Sequence, residues 1–429
     1  MMNIDNRGPL DGIRVLDLAN PIGLYCTKLL AEMGADVIKI EPPGGDAARR
    51  IGPFLHGEVD PEKSLFFYHF NTNKRSITLN LEREEGRKIL KKLVKSADIL
   101  VETFPPGHLD KLALGYENLR SVNPGLIMTS ITGFGQTGPY RDYKWCDMVG
   151  LAMGGLMVLS GFPDDPPNYL GGYQAYNLTG TNGAIGTLLA LYSRDATGEG
   201  QYVDVSMQEA VVPATELSIP AYAARKILRK RTGRQVYRGW NELYPCKDGY
   251  VVCSPFGAAR WRQVLEWAKS EGMEADLKND NYAELLDIMG DVQMDRQPTS
   301  PRLNPKALEG RDAEIAHIEE VWERFLKTHT KQELFEKCQG MGVRLMPFYN
   351  AGDQLQDPQL LARDWFTSVE HPELGETFTY AGPPYRFSKT PWRITKRSPF
   401  IGEQNEEIYK GELGFSSVDL IELKQKGVI

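Results

Sequence analysis

GIRVLDLANPIGLYCTKLLAEMGADVIKIE, residues 12–41, decides the fold. GIRVLDL (12–18) is a short apolar run rich in branched side chains, which is the pattern of a buried strand. Pro21 and Gly23 punctuate a turn. CTKLLAEMGA (26–35) spaces its apolar residues at helical intervals and stops at Gly34, and ADVIKIE (35–41) is a second strand. A strand, a helix and a strand within thirty residues make a βαβ unit, with parallel strands and a right-handed crossover.

The pattern repeats outward. KRSITLNL (74–81) reads as a strand, and EEGRKILKKLVKSA (84–97) as an amphipathic helix whose acids come first and lysines last, matching the helix dipole. DILVETF (98–104) is another strand, HLDKLALGYENLRSVN (108–123) is helical with breaks at Gly115 and Asn123, and GLIMTSITGFG (125–135) is a strand running into glycines. Alternating strands and helices predict an α/β fold with a mainly parallel sheet. Ligands of such sheets sit beyond the carboxyl ends of the strands, here Ala19–Leu24, Glu41–Gly45, Thr103–Gly107 and Thr132–Gly138. LTGTNGAIGTLLALYSRD (178–195) is a long helix of small residues, against which other backbone packs closely, and QYVDVSMQEAVV (201–212) leads into a further helix. The basic ARKILRKRTGR (224–234) reads as a linker. NELYPCKDGYVVCSPF (241–256) predicts a hairpin around Asp248-Gly249, SPRLNPKALEGRD (300–312) a polar region, AHIEEVWERFLKTH (316–329) a helix, and 405–429 two short helices around Gly414.

The 429 residues are too many for one small core, and 41% apolar with 25% charged residues is ordinary globular composition. Lys plus Arg number 50 against 57 Asp plus Glu, a net charge of −7 that argues against general nucleic-acid binding. Mean hydropathy is −0.39, and the long uncharged run at 166–193 is rich in Gly, Asn, Thr and Tyr rather than in aliphatic residues, so no membrane span is expected, and the first residues lack the basic and apolar regions of a secretory signal. The cysteines (Cys26, Cys146, Cys246, Cys253 and Cys338) are scattered, and the histidines show no HxxxH. Neither a disulfide framework nor a metal is expected, and a reduced cytoplasm fits.

Several motifs bear on chemistry. GFGQTG (133–138) has the spacing of a dinucleotide fingerprint, but Pro139 follows where a helix should start. Arg49 and Arg50 of KIEPPGGDAARR, and Lys74 and Arg75 of NKRS, offer positive charge to a phosphate or serve a plain loop and strand entry. ETFPPGHLDKL (102–112) puts His108 and Lys111 in a helix's first turn, a position that favours anions.

PLDGIRVLDL, LAEMGADVIKIEPPGGD, FNTNKRSITLNL, ADILVETFPPG, NPGLIMTSITGFGQTGPY, GTLLALYSRDATGEGQYVDVSMQEA and SPFIGEQNEEI, in this order, resemble the class III CoA-transferase family, whose branches include formyl-CoA transferase, carnitine CoA-transferase and 2-methylacyl-CoA racemase. The resemblance implies a Rossmann-like large domain from 1–220 and 385–429, a linker at 221–234, a smaller inserted α+β domain at 235–384, and an interlocked dimer. It also implies that CoA passes between carboxylic acids through an aspartate, which attacks the donor thioester and carries CoA as an aspartyl thioester. The CoA thioester is then a substrate, with no permanently bound cofactor and no metal. The CoA-contacting positions fall on Pro21, Ile22 and Gly23 after the first strand, on Leu79 and Glu82 after the third, on Thr103, Phe104, His108 and Lys111, and on Thr132. Glu82 stands where the family often has lysine.

The chain departs from the family at the nucleophile. Nine residues beyond Pro167 of GFPDDPP (161–167), and four before Gly180, stands Tyr176. A phenol has a reference pKa of about 10 and forms no anhydride. Ile22 and Leu24 stand in the first turn, where the family has small residues and a polar group near the reacting carbonyl. The reading that follows is a CoA-transferase subunit without its own nucleophile. It would pair, as a heterodimer or heterotetramer, with a homologous subunit that carries the aspartate, as in transferases of the succinyl-CoA:benzylsuccinate kind. Its small-molecule partner is an acyl-CoA such as succinyl-CoA; nucleic acid and membrane are not expected partners. The alternatives are an active homodimer using Asp164 or Asp165, a racemase or isomerase, for which the expected His-Asp pair is Cys146-Asp147 here, and a non-enzymatic CoA-binding partner. Asp147 reads as a helix cap or loop-orienting residue. Tyr237, Trp240 and Tyr244 would suit an aryl acid or serve as core.

Overall fold

The computed structural model describes residues 7–233, 235–237, 240–241, 243–253, 258–273, 277, 282, 285 and 310–429. At its centre is a parallel sheet of six strands: β1 (Arg14–Leu18), β2 (Asp36–Glu41), β3 (Arg75–Thr78), β4 (Ile99–Glu102), β5 (Ile127–Thr132) and β6 (Tyr202–Ser206). They lie in the order β3-β2-β1-β4-β5-β6, with Val15 opposite both Val37 and Ile99. This is the doubly wound order, in which the chain steps outward from β1 and then crosses back to its other side. The crossing leaves a crevice at the carboxyl ends of β1 and β4. β6 was not read from the sequence, because its first three residues are exposed or half-exposed at the sheet's edge and its last two run directly into a helix.

The helices that position this crevice are α1 (Leu24–Glu32), α2 (Leu65–Phe70), α3 (Glu84–Val94), α4 (His108–Lys111), α5 (Tyr116–Arg120), α6 (Asp147–Met153) and α7 (Gln174–Thr197). Successive strand residues point to opposite faces. Val15, Val37, Val101 and Ile131 join Cys26 and Leu30 of α1 and Ala184 and Leu191 of α7 in one core. Leu16, Ile38, Leu100 and Met128 join Ile89 and Leu93 of α3 in the other, together with Ile408, Tyr409, Leu420 and Val428 from the C-terminal segment. Tyr409 donates its hydroxyl to the Thr78 carbonyl at 2.6 Å, and Asn80 N donates to Val428 O at 2.7 Å. The small residues of α7 allow close approach, since a methyl on Gly180 would stand 2.9 Å from the Cys26 nitrogen.

The described residues divide into two compact units, one comprising the chain up to Leu159, Asn168–Arg229 and Gln359–Ile429, the other Ser160–Pro167 and Lys230–Pro358. Residues 359–384, assigned from the sequence to the inserted segment, cluster with the sheet-bearing unit. Their strand pair, Thr367–His371 with Glu376–Tyr380, sets the His371 ring 5.1 Å from that of Tyr68. The second unit is α+β. Its antiparallel strands Leu243–Cys246, Gly249–Cys253 and Leu345–Pro347 pack with the helix Asp312–Leu326 through Tyr244, Val251, Ile318, Trp322 and Phe325. The hairpin turns at Lys247-Asp248, and Asp248 accepts from Lys331 N at 2.7 Å. Residues 300–309 and the side chains of Tyr237 and Trp240 lie outside the described residues. Among those described, no helix is long and apolar enough to cross a membrane, and no group of three His, Cys, Asp or Glu is placed to hold a metal ion.

Candidate active site

The ends of β1 and β4 meet across the crevice. Asn20 N donates to Thr103 Oγ1 at 2.7 Å, and a methyl on Gly23 would stand 2.6 Å from Thr103 Cγ2, so glycine is what lets the two ends approach. Buried charges hold this turn from beneath. Asp17 accepts from Ala19 N at 2.9 Å and from Lys74 Nζ at 2.8 Å, while Lys39 donates to the Ala19 carbonyl and pairs with Asp46 at 2.9 Å. Lys74 also donates to Thr27 Oγ1 and Asn71 Oδ1. Burial disfavours the Asp17 charge, but Lys39 and Lys74 outweigh it and hold the carboxyl below its ordinary value.

The basic residues singled out in the sequence are mostly committed to the fold. Lys74 is internal; Arg49 is bidentate to Glu41 at 2.7 and 2.8 Å and also pairs with Glu62; Arg75 binds Asp36, Glu407 and Glu412. Arg50 is exposed.

The positions carried over for CoA divide by orientation. Glu82, Phe104 and His108 gather at one rim, where the Phe104 and His108 rings stack at 4.8 Å and His108 Nε2 lies 3.6 Å from Glu82 Oε1. Lys111 is exposed and makes no ion pair among the described residues; Pro21 is half-buried. Ile22, Leu79, Thr103 and Thr132 are shut from solvent. Ile22 packs in the α1 core, Leu24 clusters with Phe66, Phe67 and Phe70, and Leu79 lies in the α3 core. Tyr176 packs against the same core as Ile22, so the first turn and the start of α7 share apolar surroundings. A motif match specifies a position in the chain, not the direction of its side chain. The anion argument for His108 and Lys111 weakens as well, because α4 is a single turn and accumulates little dipole.

Glu102, the last residue of β4, was not singled out from the sequence; its signal is an acid closing the otherwise apolar ILVE. Its Oε2 accepts from Phe104 N at 2.6 Å, which pins the start of the 103–111 loop. Burial pushes this carboxyl up to about 7, Asp110 and Asp204 push the same way, and the Phe104 N–H opposes them. Beside it lies a cavity of about 420 Å³ lined by Glu102, Asp110, Tyr116, Gln136, Arg141 and Tyr202. GFGQTG contributes Gln136, whose backbone N donates to Asp204 at 3.0 Å. No helix follows this loop before α6 begins at Asp147, so the dinucleotide fingerprint is absent.

Tyr176 sits in the first turn of α7. Its ring stacks on Tyr173 at 5.8 Å, and its backbone N donates to Asp147 Oδ1 at 3.0 Å. Tyr169 donates its hydroxyl to Asp147 Oδ2 at 2.9 Å. Asp147 is buried with both carboxylate oxygens engaged, and it ties the start of α6 to the start of α7 and the loop before it. Burial, reinforced by Cys146 and Asp147, pushes the Tyr176 phenol up to about 12, so it is neutral at physiological pH. Asp164 and Asp165 are exposed on the segment that belongs to the second unit.

Comparison with known proteins adds to this geometry. Residues 10–405 match the family model described as CoA-transferase family III. The chain is 33% identical over 424 residues to the succinyl-CoA:(R)-benzylsuccinate CoA-transferase subunit BbsE of Thauera aromatica, covering 97% of each chain. In Chloroflexus aurantiacus it is 36% identical to succinyl-CoA–D-citramalate CoA-transferase over 98% of each chain. It is 34% identical to the succinyl-CoA–L-malate CoA-transferase beta subunit, again over 98% of each. Among solved structures, a CAIB/BAIF family protein from Brucella suis superposes with a TM-score of 0.78 at 29% identity, covering 95% of this chain and all of that one.

Proposed function

The chain belongs to CoA-transferase family III, and on that premise we propose that it is a subunit moving CoA from a donor such as succinyl-CoA to a carboxylic acid, with the nucleophilic aspartate supplied by a homologous partner. The observation that carries the reading is Tyr176. At the turn where the family's resemblance puts the aspartate, this chain has a neutral phenol, and the nearby carboxylate, Asp147, has both oxygens in structural hydrogen bonds. A carboxylate held by two donors is a poor nucleophile, and moving it would release the start of α7. Relatives named as subunits, BbsE and the malate transferase beta subunit, support a heteromeric assembly, a heterodimer or heterotetramer with the catalytic chain. In this reading the Glu82–Phe104–His108 rim, Lys111 and the backbone of Pro21, Ile22 and Gly23 receive CoA, while Leu79, Thr103 and Thr132 act through backbone or packing.

The test is co-expression with a homologous chain that carries the aspartate, followed by assay of CoA transfer from succinyl-CoA to a panel of carboxylic acids. The complex is expected to turn over and this chain alone is not. Turnover by the homogeneous chain would refute the divided-subunit reading and direct attention to Asp164 or Asp165.

A further inference from the structure

We propose that a cavity at the far end of α1 from the crevice binds a planar aromatic ring carrying an anionic group. α1 begins at Leu24 beside the crevice and, nine residues long, ends at Glu32, a helical length of about 13 Å. There Trp392 Nε1 donates to Glu32 Oε2 at 2.9 Å and Arg393 N donates to the Glu32 carbonyl at 3.1 Å. The Tyr385 ring meets Trp392 edge-on at 5.0 Å and Phe387 at 5.3 Å. These three rings, with Arg386, Arg393 and Asp364, bound a cavity of about 470 Å³.

Three observations select the ligand. The first is the walls. Tyr385 and Phe387 are 46% and 41% exposed, so ring surface faces solvent and is available to stack on a flat guest. The second is charge. RFSKTPWRITKR (386–397) holds five basic residues and no acid, in a chain whose net charge is −7. Arg397 is committed to Glu373 and Glu403, but Arg386 and Lys389 are exposed and make no ion pair among the described residues. A guanidinium beside aromatic faces suits a carboxylate or phosphate attached to a ring. The third is rigidity. Trp392 is tied to Glu32, Tyr385 Oη lies 3.7 Å from Met33 Sδ, and Trp365 Nε1 donates to the Pro383 carbonyl at 2.9 Å, so little ordering remains to be done on binding. An aryl carboxylate and an adenine nucleotide share this chemistry.

Calorimetric titration of the full chain tests the proposal with 3-phenylpropanoate and AMP, against 3-cyclohexylpropanoate and inorganic phosphate as matched anions without an aromatic ring. At least one aromatic anion is expected to bind about tenfold more tightly than its control. The one that does so identifies the source. Arg386→Gln is expected to weaken it about tenfold, and Phe387→Ala to erase its advantage over the control. Circular dichroism checks that both variants fold. Equal affinity for aromatic and control anions, or unchanged affinity in both variants, would overturn the proposal. So would loss of binding in Lys111→Gln in place of Arg386→Gln, which would put the ligand in the crevice. None of these outcomes depends on whether the chain carries its own nucleophile.

Discussion

Glu102→Gln should change the pH dependence of stability in a direction that the structure dictates. The folded-state pKa of Glu102 is pushed up to about 7, from an ordinary value of 4.5. Between those values the folded chain holds a proton that the unfolded chain has released. This stabilisation is therefore present at low pH and is lost as pH rises through 7. With those two values, linkage gives about 2.5 kcal/mol lost between pH 5 and pH 8 through this one group. Glutamine keeps the shape and the oxygen that accepts from Phe104 N, but it does not titrate. Urea unfolding at pH 5 and pH 8, followed by far-ultraviolet circular dichroism, measures the wild-type and variant slopes. The variant is expected to lose about 2.5 kcal/mol less than wild type over that interval and to be the more stable protein at pH 8. Parallel pH profiles, with a double difference below about 0.5 kcal/mol, would show that the Glu102 carboxyl is not raised and that the argument from burial fails.

Two further outcomes are expected. Asp17→Asn leaves Lys74 buried without its carboxylate while Lys39 keeps Asp46, so unfolding in urea should show a loss of about 3 kcal/mol; a loss below about 1 kcal/mol would mean that water reaches this network. Tyr176→Asp should form no stoichiometric CoA adduct when incubated with succinyl-CoA and examined by mass spectrometry with hydroxylamine trapping. The new carboxylate would lie beside Asp147, which raises its pKa, and a displacement of about 1 Å costs about a hundredfold; a full adduct would show an intact pocket that lacks only its nucleophile.

The doubly wound sheet was legible because its strands are short apolar runs separated by helices, a pattern that burial on both faces imposes. GIRVLDL and ADVIKIE became β1 and β2 within two residues at each end. β6 was missed for the opposite reason: an edge strand with one wet side reads like the approach to a helix. The site was only partly legible. Tyr176 and Asp147 were found by their place in a motif, and the structure brings them together, with the Asp147 carboxylate holding the Tyr176 backbone. Ile22 and Leu79 came from the same kind of match, yet their side chains point into opposite cores, a matter of strand and helix phase that resemblance does not carry. Glu102 gave a composition signal, but its raised pKa depends on burial, with smaller pushes from Asp110, eight residues on, and from Asp204, which only the fold brings near.

The hydrogen bonds around α7 let residue 176 vary without the turn falling apart. Residue 176 is held through its backbone N–H, which every residue but proline offers, so its side chain is free to change while the helix start stays in place. The residue whose side chain does the holding is Asp147, with Tyr169 completing the set. Replacing Asp147 would release both the helix and the preceding loop, whereas replacing Tyr176 removes a ring stacked on Tyr173 but leaves the backbone bond to Asp147 in place. A subunit whose partner supplies the carboxylate would be expected to drift in this way, keeping the acid that holds the scaffold and losing the acid that reacts. An autonomous enzyme with a relocated nucleophile would instead need another carboxylate free of structural hydrogen bonds and half-buried against the crevice. Neither Asp147, which is fully engaged, nor the exposed Asp164 and Asp165 meets that requirement.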